Sequence, residues 1–177
     1  MSLASTAVTA PLTRFQRILL GTDGTVTKIL EAYAEEPIEV LKLLQLSDRA
    51  DTGDVDLGLA EGEGVLRRRV VIRGRHTRRS LLYAEAVVAI QRAEPAFLEG
   101  LLETDKPIGA LLAELRTETF REILAVGREP AGPCAAHLGI DPTAELVFRT
   151  YRIIARRQPI VVIIEKFPAA SFRDLPA

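Results

Sequence analysis

A chain of 177 residues that is 47% hydrophobic and 27% charged is long enough for a sizeable core and too apolar to remain disordered. Its formal net charge of -1 gives no global attraction to nucleic acid or to an anionic membrane. The single cysteine, Cys134, excludes an internal disulfide framework and fits a reducing cytoplasm.

The opening "MSLASTAVTAPLTRF" has neither a basic n-region nor a continuous apolar h-region. Residues 1–11 are therefore read as a disordered tail, and 12–177 as a single domain. The run "TVTKILEAYAEE" (25–36) predicts a helix, with Thr25 as cap, Ile29, Leu30 and Tyr33 on one face, and Pro37 past the end. Residues 38–46, "IEVLKLLQL", suit a strand, although their leucines would also suit a helix. The acidic, Gly-rich stretch 47–64 reads as a loop or mobile flap. Strands are expected at 65–73 and 80–90, joined as a hairpin by the basic "GRHTRRS". Helical pattern returns at 94–104 and at about 107–127, where Asp105 can cap and Pro107 sits in the first turn. "GREPAGPCAAHLG" ends that helix. The last elements are a long hairpin, "ELVFRTYRIIA" (145–155) and "IVVIIEKF" (160–167), around the turn "RRQP". Strands in neighbouring hairpins with helices grouped between them favour an antiparallel α+β fold over βαβ units. The longest apolar run, "PIVVII", is too short to span a bilayer.

Two ionisable residues stand out by their phase. Strand side chains alternate faces, so Arg68, Val70 and Ile72 share one face of "VLRRRVVIRG" and Arg67, Arg69, Val71 and Arg73 share the other. The second face is basic enough to be solvated. If Val70 and Ile72 are core, Arg68 is carried inward with them, and a buried arginine without an anionic partner costs several kcal/mol, of the order of ~3–5. In the last strand, Val161, Ile163, Glu165 and Phe167 share a face, which makes Glu165 a partly desolvated carboxylate. If Arg68 and Glu165 pair directly, they are a structural salt bridge. If they stand apart across a cavity, they define a site for a small ligand with an anionic end and a hydroxyl end. Pattern alone leaves both readings open.

The stretches "LTRFQRILLGTDGTVTKILEAY", "GVLRRRVVIRG", "DKPIGALLAELRTETFRE" and "YRIIARRQPIVVIIEKF" occur here in order from Leu12 to Phe167. As a set they resemble the chorismate pyruvate-lyase family, in particular its bacterial 4-hydroxybenzoate-forming branch outside the ubiquinone pathway of enterobacteria. The resemblance implies an antiparallel six-stranded sheet with helices flanking and covering an internal ligand cavity. Only five strands are visible in the pattern above. It also implies a carbon–oxygen lyase that eliminates pyruvate from chorismate to leave 4-hydroxybenzoate, with no organic cofactor and no metal. On that resemblance Arg68 binds the ring carboxylate and Glu165 contacts the ring hydroxyl, and these two are the catalytic candidates. Main-chain N–H groups at Ile108 in "KPIG" and Val26 in "GTVTK" complete the binding set. Both positions lie at predicted helix starts, which favour an anion. Strand alternation and the family motif select the same arginine of the three.

The resemblance further implies small-molecule partners, chorismate and its product, no nucleic acid or membrane, and a monomer or small homo-oligomer. The flap at 47–64 departs from enterobacterial members in length and charge. The chain also stops soon after "FRDLPA", so no C-terminal element is expected to close the site. Two rivals remain: a lyase on a related enolpyruvyl substrate, and a non-catalytic sensor, since effector domains of bacterial regulators resemble the same fold. Only residues 1–11 precede the matching region, which counts against the sensor.

Other signals have plain readings. "DTG" at Asp51–Gly53 lies in an acidic loop rather than in the apolar strand context an aspartic protease needs. Asp51, Asp54 and Asp56 lack EF-hand spacing. Arg67, Arg69, Arg73, Arg75, Arg78 and Arg79 form a basic hairpin without interleaved aromatics, suited to solvation or anion steering. His76 and His137 have no ligand-spaced companions. Cys134 has no base nearby in sequence and is expected to be inert. Arg149 and Arg152 fall on opposite faces of one strand, and either could support a pocket.

Overall fold

The computed structural model describes residues 11–52 and 54–172, so all of the expected tail but Pro11 lies outside the described residues. Six strands form one antiparallel sheet: β1 Ile38–Arg49, β2 Gly64–Gly74, β3 Ser80–Ala89, β4 Phe120–Pro130, β5 Glu145–Ala155 and β6 Gln158–Pro168, in the order β1-β2-β3-β6-β5-β4. The helices are α1 Arg14–Gly21, α2 Val26–Ala34, α3 Pro95–Glu103, α4 Ile108–Glu114 and α5 Ala135–Leu138. The fold class is the expected α+β arrangement.

The sixth strand corrects the reading of 107–127 as one helix. α4 stops after two turns, and the chain turns at Arg116, whose φ of 52° is left-handed. It then pairs with β5 from Phe120↔Ile154 to Pro130↔Glu145. Arg121, Glu122, Leu124 and Ala125 are good helix formers, but β4 is an edge strand and long-range pairing overrides propensity there. Its exposed Phe120, Ile123 and Val126 hide the alternation that marks a half-buried strand. α1 had not been anticipated. Thr13 accepts from the Gln16 N–H while the Gln16 side chain accepts from the Thr13 N–H, a capping box that fixes its start.

The stretch 47–64 is also more ordered than a flap. β1 continues to Arg49, and a short 3-10 turn at Val55–Leu57 buries Leu57 to 1% exposure. Arg67 holds the buried Asp54 carboxylate at 2.8 Å, and Arg92 donates to the Leu57 and Gly58 carbonyls. Arg152 donates to the Asp56 carbonyl. Arg67 and Arg152 point away from the face that carries Arg68 and Tyr151, so this segment is clasped to the opposite side of the sheet.

Two apolar clusters lie between the sheet and its helices. α1 and α2 pack Leu19, Leu20, Val26 and Leu30 against Ile72, Leu82, Val147 and Phe167. α3 and α4 pack Phe97, Leu101, Ile108 and Leu111 against Leu66, Ala86, Tyr151, Val161 and Ile163. Each fully buried Leu, Ile or Phe contributes roughly 1.5–3 kcal/mol. On the other face, α5 covers a third cluster around Val71, Tyr83 and Leu146. The "solvated" face of β2 therefore needs correction: Val71 is wholly buried, and its arginines are ion-paired, Arg67 with Asp48 and Asp54, Arg69 with Glu85, Arg73 with Glu39. The β5–β6 hairpin turns through Arg156 and Arg157, both with positive φ (50° and 65°), the geometry that matches strand twist. Among the described residues no helix is long and apolar enough to cross a membrane.

Candidate active site

The hollow between the first two clusters is a product of register. Across β2, β3, β6 and β5, one row reads Val70, Ala84, Glu165, Arg149 and the next reads Arg68, Ala86, Ile163, Tyr151. Directly paired residues share a face. Ala84 and Ala86 therefore stand in the middle of the sheet where larger side chains would fill the space. The starts of α2 and α4 close the hollow from above. The resulting cavity encloses about 70 Å³ and is lined by Gly24–Thr27, Val40, Val70, Ile72, Leu82, Pro107–Gly109 and the polar groups Arg68, Arg121, Tyr151 and Glu165, among others. A single water needs about 10–15 Å³, so the space is several waters deep.

Arg68 is 3% exposed and lines the cavity as its strand phase required. Its Nη2 donates to the Lys106 carbonyl at 3.1 Å, and its buried Nη1 has no partner among the described residues. Burial pushes the guanidinium's pKa down, opposed in part by the charge of Asp105. That carboxylate is itself bridged to Lys42 at 3.0 Å. A desolvated cation with a donor left over is a site for an anion.

Glu165 lines the same cavity, standing apart from Arg68 as the second alternative has it. It does not pair with Arg68. Its Oε2 accepts from Arg149 Nε at 2.7 Å, and its Oε1 accepts from the Tyr151 hydroxyl at 3.0 Å. Arg149 is 1% exposed, donates also to the Thr22 carbonyl, and lies 4.7 Å from the Tyr151 ring centroid. Burial, then the charge of Glu165, pushes the Tyr151 phenol's pKa up, so it stays a hydrogen-bond donor. The carboxylate is thus fully compensated while each oxygen keeps a further lone pair for the cavity.

Val26 and Ile108 both line the cavity at the first positions of α2 and α4, and neither start has a side-chain cap. Thr25 occupies the cap position of α2 without making the expected bond, and Pro107 rather than Asp105 caps α4. Of the arginines in "RTYRIIARR", Arg149 is the inward one; Arg152 pairs with Glu122 on the outer face. Arg121 is a lining residue that the sequence reading missed, because a helix over 107–127 assigns it no strand face. The signal lay in its motif, "LRTETFRE", where Thr-rich residues after Leu115 mark a helix end. Among the described residues no group of three or more His, Cys, Asp or Glu is arranged to hold a metal ion. Cys134 is buried and free, donates to the Ala131 carbonyl, and has its pKa pushed up by burial, away from thiolate chemistry.

Residues 20–173 match the family model described as chorismate pyruvate-lyase Rv2949c-like. The chain is 33% identical over 175 residues to the chorismate pyruvate-lyase of Mycobacterium tuberculosis strain H37Rv, covering 93% of this chain and 85% of that one. It is 33% identical over 167 residues to the enzyme of that name from Mycobacterium leprae, covering 93% and 79%. In fold it is similar to the C-terminal domain of a histidine utilization repressor from Pseudomonas syringae, with a TM-score of 0.62, 18% identity, and coverage of 79% of this chain and 97% of that one. The last likeness concerns architecture alone. The chain belongs to the Rv2949c-like chorismate pyruvate-lyase family.

Proposed function

We propose that the protein eliminates pyruvate from chorismate to give 4-hydroxybenzoate, without metal or organic cofactor, in the cytoplasm. The observation that carries this reading is the buried guanidinium of Arg68, whose Nη1 has no hydrogen-bond partner among the described residues, in the same cavity as the hydrogen-bonded carboxylate of Glu165. Chorismate carries a ring carboxylate, a ring hydroxyl and an enolpyruvyl ether. On this reading Arg68 receives the ring carboxylate, assisted by the main-chain N–H groups of Val26 and Ile108, and Glu165 accepts a hydrogen bond from the ring hydroxyl.

In the reaction the hydrogen on the hydroxyl-bearing carbon leaves and the ether C–O bond breaks. The enolpyruvate fragment gains a proton on carbon and departs as pyruvate, and the ring becomes aromatic. Aromatisation supplies much of the driving force, so the protein's part is to hold a reactive ring conformer and exclude water. Both Glu165 oxygens already accept hydrogen bonds, one from a buried cation. Taking a proton would undo the balance with Arg149, which supports orientation of the hydroxyl rather than base catalysis as the role of Glu165.

The test is to incubate purified protein with chorismate and follow ultraviolet absorbance for 4-hydroxybenzoate, with pyruvate measured in parallel. Equal amounts of the two products are expected. Binding of 4-hydroxybenzoate without turnover would instead favour a sensor of the regulator effector type, and pyruvate without 4-hydroxybenzoate a related elimination.

A further inference from the structure

We propose that Arg121 is a second carboxylate-binding residue of this cavity, reading the enolpyruvyl carboxylate that the substrate carries and the aromatic product lacks. The inference rests on the chorismate reading of the site and adds to it the group that tells substrate from product.

The first observation is a charge count around the cavity. Its charged lining residues are Arg68, Arg121 and Glu165. Glu165 is already neutralised by Arg149. Of the carboxylates within two residues of the lining, Glu39 pairs with Arg73, Glu85 with Arg69, Asp105 with Lys42 and Glu122 with Arg152, while Asp23 is exposed and meets Arg121 through its backbone carbonyl. Two guanidiniums therefore face the cavity without a carboxylate among the described residues, Arg68 bonded to the Lys106 carbonyl and Arg121 to the Asp23 carbonyl. Two uncompensated cations in one apolar hollow match a dianion better than a monoanion.

The second observation is placement. Arg121 enters from β4, and its Nη1 donates to the Asp23 carbonyl at 2.9 Å. A Cβ built on Gly109 would stand 3.6 Å from Arg121 Nη2 and 3.5 Å from Thr25 Cγ2. The guanidinium thus lies between the start of α2 and the start of α4, at the mouth of the cavity, half-buried where Arg68 is almost wholly buried. Arg68 meets the segment that leads into α4, at the Lys106 carbonyl. One bond to a backbone carbonyl steadies Arg121 and leaves most of its five donors for a ligand. A carboxylate on a short ether arm reaches towards the mouth while the ring carboxylate stays with the inner arginine.

Calorimetric titration with two stable ligands tests this: 4-hydroxybenzoate, a monocarboxylate, and 3-(carboxymethoxy)-4-hydroxybenzoate, which adds an ether-linked second carboxylate. Arg121→Leu and Arg121→Gln are expected to weaken the dicarboxylate by about 10- to 100-fold, the range for a charge-assisted pair, and to raise KM for chorismate alike. The affinity for 4-hydroxybenzoate should change by no more than about 3-fold on the same grounds. Arg68→Met should weaken both ligands together. Equal loss of the two ligands in the Arg121 variants, or loss of neither, overturns the assignment. If the unaltered protein binds neither ligand and forms no 4-hydroxybenzoate, the chorismate reading itself falls and this inference with it.

Discussion

Arg149 and Arg68 are both almost wholly buried, at 1% and 3% exposure, and both point to the same face of one sheet. Their surroundings differ in kind. On the β5–β6 side, Arg149 is enclosed by Glu165, the Thr22 carbonyl and the ring of Tyr151. On the β2 side, Arg68 keeps one carbonyl bond and an idle nitrogen. The first side is a finished ion pair whose partners offset one another's burial; the second is a guanidinium without a carboxylate partner among the described residues, whose desolvation is a cost to the folded chain.

Substituting Arg149 should have the largest effect. Arg149→Met strands the Glu165 carboxylate in an apolar setting, at about 3–5 kcal/mol. At about 2–4 °C per kcal/mol for a chain of this size, a melting temperature lower by roughly 6–20 °C is expected. The double variant Arg149→Met/Glu165→Leu should recover most of it. A single-variant loss under about 3 °C, on the same scale, would show that the pair is not truly desolvated.

Glu165→Gln comes next. It keeps the shape and an acceptor but removes the charge that holds Arg149 and orients the ring hydroxyl, so kcat should fall by about 100-fold while 4-hydroxybenzoate binds nearly as before. Unchanged turnover would remove Glu165 from the mechanism.

Arg68→Met should separate stability from binding. The free protein is expected to melt a few degrees higher, since an uncompensated charge is gone, at about 2–4 °C per kcal/mol. Affinity for 4-hydroxybenzoate should drop by about 10- to 100-fold. A lower melting temperature with intact affinity would reverse the contrast drawn above.

The gentlest effect belongs to the outer face. The Tyr83 hydroxyl donates to Glu85 at 3.0 Å, and burial together with the Glu85 charge pushes its pKa up to about 12. An unfolded tyrosine titrates near ~10, so the unfolded chain releases that proton first. The resulting stability is present in full below that value and is lost as pH rises towards about 12. Melting followed across this alkaline range should decline, and Tyr83→Phe should make the decline shallower.

Much of this was legible in the sequence wherever one face of a strand is uniformly apolar. Arg68 and Glu165 were found because Val70, Ile72, Val161, Ile163 and Phe167 fix the inward phase around them. β5 offered no such asymmetry: Val147, Tyr151 and Ile153 accompany Arg149, while Phe148 and Ile154 accompany Arg152. Only pairing with β6 reveals which face is inward, and so the partner of Glu165 was invisible locally. β4 failed for a related reason. An edge strand with exposed Phe120 and Val126 has no inside to betray, and its helix-forming residues pointed the other way. Arg121 was lost with it.

The strand order carries a consequence of its own. β1, β2 and β3 are consecutive neighbours, as are β4, β5 and β6, and within the sheet the two triplets join only along β3–β6. Arg68 belongs to one triplet; Arg121, Arg149, Tyr151 and Glu165 belong to the other. On the proposed reading, a molecule gripped from both sides laces the seam shut, so cargo and architecture share a fastening: neither half of the polypeptide completes the proposed site until the other has docked beside it.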